Sequence, residues 1–293
     1  ISQSKLRVIA PFVGGGFGAK AGVSMEALVV AIALKIPGRP VRLVLTREEE
    51  FFGSFCRQGL IAYYKMGCDK DGNLIAVDNK YYWDAGAYTE YGVNITRASG
   101  YSSTGPYNVP NVRVDSICCY TNHPVGGPMR GFGMPEIHVG LEQCVDDLAR
   151  EIKMDPVAFR SKNCVKGGDI IVTGMVMHPT GLSRCIEQAA KAIQWGKKNP
   201  PSGPNKVRGK GIAVMWKAPA MTPNAGSSAF VRMNEDATVE IGLGGQEIGQ
   251  GTFTVMAQMA AAIANGGSAV PLRLVGAVRK PGASDWQPVV FFL

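Results

Sequence analysis

The chain has 293 residues, 46% of them hydrophobic, enough for one large domain or two ordinary ones with real cores. Its 31 Lys and Arg exceed its 23 Asp and Glu, giving a net charge of +8. The two signs are interspersed, and no helix-turn-helix, zinc-finger or RNA-binding pattern accompanies them, which argues against a nucleic-acid partner. No apolar run approaches the roughly 20 residues that a bilayer span requires.

In chain order, Leu6 to Val13 reads as a strand, "GGGFGAK" from Gly14 as a turn, Ala21 to Lys35 as a helix and Val41 to Thr46 as a second strand. "QGLIAYYKMGCDKDGNLIAVDNKYYWDAGAY" reads as two long strands joined at Asp69 to Asn73, because Asp-Gly between apolar runs is a strong hairpin signal. A loop rich in Gly, Ser and Tyr precedes the strand Val112 to Thr121. The loop "NHPVGGPMRGFGMPE" then leads into a helix on which Ile137, Leu141, Cys144, Val145, Leu148 and Ile152 recur at helical spacing. Asp155-Pro156 supplies the cap and first residue of a short helix, and Thr180 to Trp195 reads as another.

The stretch 196–210, rich in Pro, Gly and Lys, reads as a linker with a boundary near Pro201. Beyond it, Gly211 to Trp216, Ser228 to Met233 and Thr238 to Leu243 read as strands, the last two joined by the turn Asn234 to Ala237. They end in "GLGGQEIGQGTFTVMAQMAAAIA", again a glycine loop opening a helix.

Seven cysteines form an odd set without C-x-x-C spacing, which argues against a zinc site or an iron–sulfur cluster in this chain. Scattered thiols fit a reducing compartment, so a cytoplasmic location is expected. His123, His138 and His178 lack ligand spacing, and a metal would have to arrive in a cofactor.

A glycine loop entering a helix offers free N–H groups to an anion. The Walker pattern fails because Ala19 and Ala21 flank Lys20. A dinucleotide pattern, Gly14-x-Gly16-x-x-Ala19, is present, but the next strand, Val41 to Thr46, brings its first acid only at Glu48, late for a ribose contact. "VGGGFGAK", "GPMRGFGMPE" and "GGQEIGQGT" together could serve one large, hydrogen-bond-rich ligand.

These loops, with "TREEEF" from Thr46, "DAGAY" from Asp84 and "GPYNVPNVRVD" from Gly105, occur in an order that resembles the molybdenum-cofactor subunit of the xanthine dehydrogenase and aldehyde oxidase family of molybdenum hydroxylases. The likeness covers nearly the whole chain. Of roughly the last thirty residues, "ASDWQ" at Ala283 is similar to the family and the ending "PVVFFL" is not.

The resemblance implies an α+β fold of mixed α/β layers, incomplete at both ends. Residues 1–195 would be a first cofactor-binding domain lacking its N-terminal part, 196–210 the linker and 211–293 the truncated start of a second domain. It implies molybdopterin, cytosine dinucleotide in many bacterial members, carrying a molybdenum with no direct protein ligand. The implied reaction oxidises an aldehyde or N-heterocyclic aromatic with water as oxygen source, and passes electrons to 2Fe–2S and FAD partner chains or domains. The remainder of the subunit would be a further partner. The cofactor carries the hard chemistry and the protein supplies orientation and electrostatics.

Carried over residue by residue, Gly15, Gly16, Phe17 and Gly18 would lay main chain beside the metal and pterin, and a bulky residue at Gly16 would displace the cofactor. Arg130 resembles the arginine that closes on the metal centre, and Phe132 the aromatic that packs against the bound ring. Gln246, Gly249, Gln250, Gly251 and Thr252 resemble the stretch that receives pterin and phosphates at a helix start. Arg97 lies near a family position that orients substrate.

Four departures qualify the match. Ala21 stands where xanthine-oxidising members carry a glutamate, Met129 precedes Arg130, and Glu136 replaces a frequent glutamine. The family's general-base glutamate, in a G-x-G-E segment, would come after Leu293, and Glu247 is not that residue. The chain alone is therefore expected to be inactive. It would be either part of a divided subunit or an incomplete gene product. A nucleotide-dependent dehydrogenase using Gly14, Gly16 and Ala19 and a non-catalytic assembly subunit remain as alternatives.

Overall fold

The computed structural model describes residues 2, 4, 6–9, 12–23, 25–88, 90–200, 203–217, 227–236, 238–264, 273–275 and 290–292. They fall into two compact units, Phe17–Ala220 and Ile1–Gly16 with Met221–Leu293.

The unit Phe17–Ala220 opens with α1 (Met25–Lys35) and α2 (Arg47–Gly53). Thr46 starts α2 with a capping box: its hydroxyl accepts from the Glu49 N–H and the Glu49 carboxylate accepts from the Thr46 N–H. After β1 (Cys56–Arg57), β2 (Gly59–Cys68) and β3 (Leu74–Asp84) form the expected antiparallel hairpin. Its turn is held by the Asp69 carboxylate, which accepts from the N–H groups of Asp71 and Asn73, and by Gly72 at φ +79°. β4 (Asn111–Cys119) adds parallel to β3, and β5 (Gly126–Gly127) pairs parallel with β1.

Helices α3 (Gly92–Tyr101), α4 (Met134–Glu151), α5 (Pro156–Asn163) and α6 (Leu182–Ala192) complete this unit. Period-two alternation along β3 buries Val77, Asn79, Tyr81 and Trp83 on one face. α4 packs on β2 and spans two apolar clusters. Ile137 joins Tyr81, Trp83, Ile95 and Met134, while Val145 joins Leu74, Val77, Tyr107, Phe159 and Ile186.

Asp155 caps α5 by accepting from the N–H groups of Val157 and Ala158, and its second oxygen accepts from the Trp195 indole at 2.7 Å. Partial burial alone would raise its pKa, but these donors outweigh it and hold the carboxyl below the ordinary value. A depressed folded pKa means the contribution is complete above the unfolded carboxylate pKa and is lost as pH falls through the folded one. Asp155→Ala should cost about 1 kcal/mol at neutral pH, a deficit that narrows in acid. Denaturant titrations of both proteins at pH 7 and pH 3 measure this.

Three expected strands are not formed among the described residues. Leu6–Ile9 and Phe12–Val13 carry no ladder, and residues 10 and 11 lie outside the described residues. Val41–Thr46 is likewise unpaired. A strand exists only where a neighbour takes its N–H and C=O groups. In Gly211–Trp216, the Val214 N–H instead donates to the Glu142 carboxylate. The expected Gly/Ser/Tyr loop contains α3, whose Thr96 and Ser99 hydroxyls donate to the carbonyls of Gly92 and Ile95, four residues earlier. Residues 196–200 and 203–210 fold back locally, with Lys210 Nζ donating to the carbonyls of Gln194 and Lys197. Pro201 lies outside the described residues.

The other unit contains the antiparallel pair β6 (Ala229–Met233) and β7 (Val239–Leu243), joined where the Asn234 N–H donates to the Thr238 carbonyl. Ala237, at the expected end of that turn, lies outside the described residues. α7 (Thr252–Ala264) follows, and β8 (Arg273–Val275) pairs with β9 (Val290–Phe292). The "ASDWQ" similarity lies outside the described residues. Among the described residues no helix is long and apolar enough to cross a membrane.

Candidate functional site

Within Phe17–Ala220, the second half of the first glycine loop lies on the base of the second. Gly18 sits at φ +111°, and any Cβ there would run into the Pro128 carbonyl, so only glycine allows this approach. Phe17, at φ +52°, places its ring 5.7 Å from the Arg130 guanidinium. Gly131, Phe132 and Gly133 take three positive φ values in succession, +111°, +57° and +88°. A non-glycine residue in this region is strained by about 1–3 kcal/mol, and such strain gathers at ligand sites.

Phe132 is half-buried. Its ring meets Tyr91 edge-on at 6.1 Å, and Lys217 Nζ lies 4.8 Å from its centroid. Burial lowers the pKa of the Lys217 ammonium. Tyr91 and Lys217, which sequence reasoning missed, reach Phe132 only through the fold.

The base of this second loop is structural. The Asp84 carboxylate pairs with His123 and accepts from the Thr121 hydroxyl and the Gly86 N–H. Partial burial alone would raise its pKa, but the hydrogen bonds with Thr121, His123 and Gly86 outweigh it and hold the carboxyl below the ordinary value. Gly86, at φ +76°, packs on the Pro124 carbonyl, and the Ala85 carbonyl accepts from the Gly126 N–H. "DAGAY" therefore anchors the strand from which Arg130 and Phe132 depart. His138 is buried, its Nδ1 at 2.7 Å from the Met134 carbonyl, and burial lowers its pKa; His178 is exposed.

Arg97 does not join this group. Ile95 and Ser99 face Gly133, whereas Arg97, two residues on and so turned away by helical geometry, lines a cleft of about 690 Å³ with Ser102, Val114, Thr173 and Trp216.

In the other unit, Gly249 at φ +102° lies against the main chain of Val13 and Gly15, so the first half of the first glycine loop meets the third. Gly15 and Gly251 also take positive φ values. Here the donors expected for phosphates are engaged locally. The Glu247 carboxylate accepts from the N–H groups of Gly249, Gly251 and Phe253, which hold its pKa below the ordinary value. Gln250, though exposed, is folded back on its own loop, accepting from the Ile248 N–H and donating to the Gln246 carbonyl. Among the described residues no group of three His, Cys, Asp or Glu side chains could hold a metal ion.

The model of a molybdopterin cofactor-binding domain family matches residues 1–164, and that of a second such domain matches residues 186–265. The chain belongs to the molybdopterin cofactor-binding family. Its relatives include the xanthine dehydrogenase molybdenum-binding subunit of Escherichia coli O157:H7, 35% identical over 267 residues that cover 89% of this chain and 36% of that protein. The nicotinate dehydrogenase large molybdopterin subunit of Eubacterium barkeri is 37% identical over 196 residues, 66% of this chain and 46% of that one. The aldehyde oxidoreductase of Desulfovibrio gigas superposes with a TM-score of 0.60 at 26% identity, over 78% of this chain and 25% of that chain. The chain thus spans less than half the length of these relatives. Its family fold is the expected α+β arrangement of mixed layers.

The dinucleotide alternative gains nothing from the geometry. Gly14 has open space around its Cβ position, and the described part of Leu6–Val13 supplies no strand before the turn.

Proposed function

We propose that the intact protein is the molybdenum-cofactor subunit of a hydroxylase acting on an aldehyde or an N-heterocyclic aromatic, with 2Fe–2S and FAD partners and a cytoplasmic location. The observation that carries this is the Phe17–Gly18 and Arg130–Phe132 arrangement. Two loops meet at a glycine that tolerates no side chain, and each turns a strained phenylalanine toward a cation. Such a surface fits a planar, polar cofactor and a flat substrate better than a nucleotide phosphate. When bound, molybdopterin with its metal, in the dinucleotide form or not, would supply oxidation of the substrate carbon with water as the oxygen source.

In this reading Gly15, Gly16, Phe17 and Gly18 hold the pterin by main chain, Arg130 places positive charge beside it, and Phe132 orients the substrate ring. Gln246, Gly249, Gln250, Gly251 and Thr252 receive the far end of the cofactor, which requires Glu247 to release the amides it now caps. No side chain here is assigned as proton acceptor, and the stretch is inactive by itself. The first cofactor domain ends at 195, the link occupies 196–210, and the second begins at 211.

The test is metal and pterin analysis of the intact enzyme together with Arg130→Ala and Phe132→Ala. Molybdenum and pterin should be present, and turnover should fall by about 100-fold in each variant, the scale of a misplaced reacting group. Absence of both from a correctly assembled complex sinks the proposal. The local capping of the third loop favours a second reading, a bracing subunit without catalysis, and unchanged turnover in both variants would establish it.

A further inference from the structure

Arg57 was not among the residues that sequence patterns singled out, yet it touches both ends of the second glycine loop. Its Nη1 donates to Glu136 Oε1 at 2.7 Å, and its Nη2 donates to the Arg130 carbonyl at 3.1 Å. The geometry points to Arg57 as a positioning residue that holds the 130–136 loop in its strained form through Glu136. This rests on the functional reading above for its consequence in catalysis, but not for its structural effect.

Arg57 ends β1, where it pairs with Gly127 of β5, and the loop departs from β5. The tether therefore spans from the loop's root to its two shoulders. Between those shoulders the backbone keeps three positive φ values in a row, one of them at a phenylalanine. Such a conformation persists only where the surroundings over-determine it. The Phe132 N–H to Met129 carbonyl bond closes one turn, at 2.8 Å, and Gly133 wedges among Ser99, Ile95 and Trp83. Neither fixes the Arg130 peptide, which Arg57 alone grips from outside the loop among the described residues.

The guanidinium fork suits this task, because its N–H groups are fixed in one plane and aim at two acceptors in set directions, whereas the donors of an ammonium rotate on a flexible stem. Glu136 is the other half of the device. Its side chain is 13% exposed against 38% for Arg57, and its Oε2 is buried without a hydrogen-bond partner among the described residues. A carboxylate in that position is held by one strong bond and has no second one to retain it.

The experiment is limited trypsin digestion of the intact enzyme after Arg130, which is exposed, with hydrogen exchange of residues 129–134 as the second measurement. In Arg57→Ala, cleavage should accelerate by at least about tenfold, since it tracks the open population of the loop, with exchange in β2 and β3 unchanged. Arg57→Lys should restore it only in part. Glu136→Gln, which keeps an acceptor for Nη1, should stay near wild type while Glu136→Ala opens the loop. Equal cleavage in Arg57→Ala and wild type overturns the tether, as does loosening spread evenly over the whole unit. Molybdenum content is read in the same samples. A wild-type enzyme without metal or pterin whose loop is nonetheless released in Arg57→Ala supports the tether and rejects the cofactor reading, whereas a loaded wild type whose loop is not released in Arg57→Ala does the reverse.

Discussion

Arg160→Met is expected to destabilise the unit Phe17–Ala220 by about 3–5 kcal/mol, the cost of stranding a buried partner. Arg160 is fully buried on α5. Its Nε donates to Glu142 Oε2 at 2.9 Å, and its Nη1 to Asp146 at 2.8 Å and the Pro156 carbonyl at 3.2 Å. Glu142 also accepts from the Tyr107 hydroxyl at 2.6 Å and from the Val214 N–H at 3.0 Å. Four segments thus share one carboxylate. Burial pushes the Tyr107 hydroxyl pKa well up, so it remains a proton donor at any working pH.

Removing the guanidinium leaves the buried Glu142 carboxyl with only the Tyr107 hydroxyl and the Val214 N–H as donors. Glu142→Gln should cost less than Glu142→Ala, because an amide oxygen can still accept from Val214 while a methyl leaves the Arg160 Nε, the Tyr107 hydroxyl and the Val214 N–H without their acceptor. Thermal unfolding of the full chain checks the order. A fall of about 10 °C is expected for Arg160→Met on the usual scaling for a unit of this size, and a fall under about 2 °C would show the network to be dispensable.

None of that network was visible in the sequence. α4 was legible because Ile137, Leu141 and Val145 recur at helical spacing and all three are buried in the structure, but periodicity reports apolar faces and not which polar residue is pulled inward. Glu142 lies beside Leu141 on that helix, and only the docking of α5 and Tyr107 makes it interior. The hairpin at Asp69–Asn73 was legible for the opposite reason, since its turn is made by contiguous residues. Residues 6–9, 41–46 and 211–216 misled because an apolar run states a tendency to extend, while a strand also needs a neighbour with matching register.

Of the site, the glycines and Arg130 were legible as motif letters. Arg57, Tyr91 and Lys217 come from other segments and carry no local signature, and their contribution appears only once distant backbone is placed. Arg97 shows the converse: its place in the motif order suggested the site, and helical geometry turns it to another face.

Gly18→Val should remove activity and cofactor together in the intact enzyme. The residue combines φ +111°, which a β-branched side chain adopts only under strain, with the Pro128 carbonyl where its Cβ would lie. Backbone cannot step aside as a flexible side chain can, so the first loop must lift from the second. That separates Phe17 from Arg130 and carries the main chain away from the place where the pterin is proposed to rest. A loss of about 100-fold in turnover is expected for a displacement near 1 Å, with molybdenum content falling in parallel.

Gly14→Ala is the control in the same loop. Apart from its chain neighbours, no heavy atom of the described residues lies within 4 Å of the Gly14 Cβ position, so that variant should keep metal and turnover within about twofold, the range of surface substitutions. A dinucleotide turn would need that glycine, and the pair of variants therefore separates the two kinds of site. If Gly18→Val retains full metal and full turnover while remaining folded, the approach of the two loops has no part in holding the cofactor.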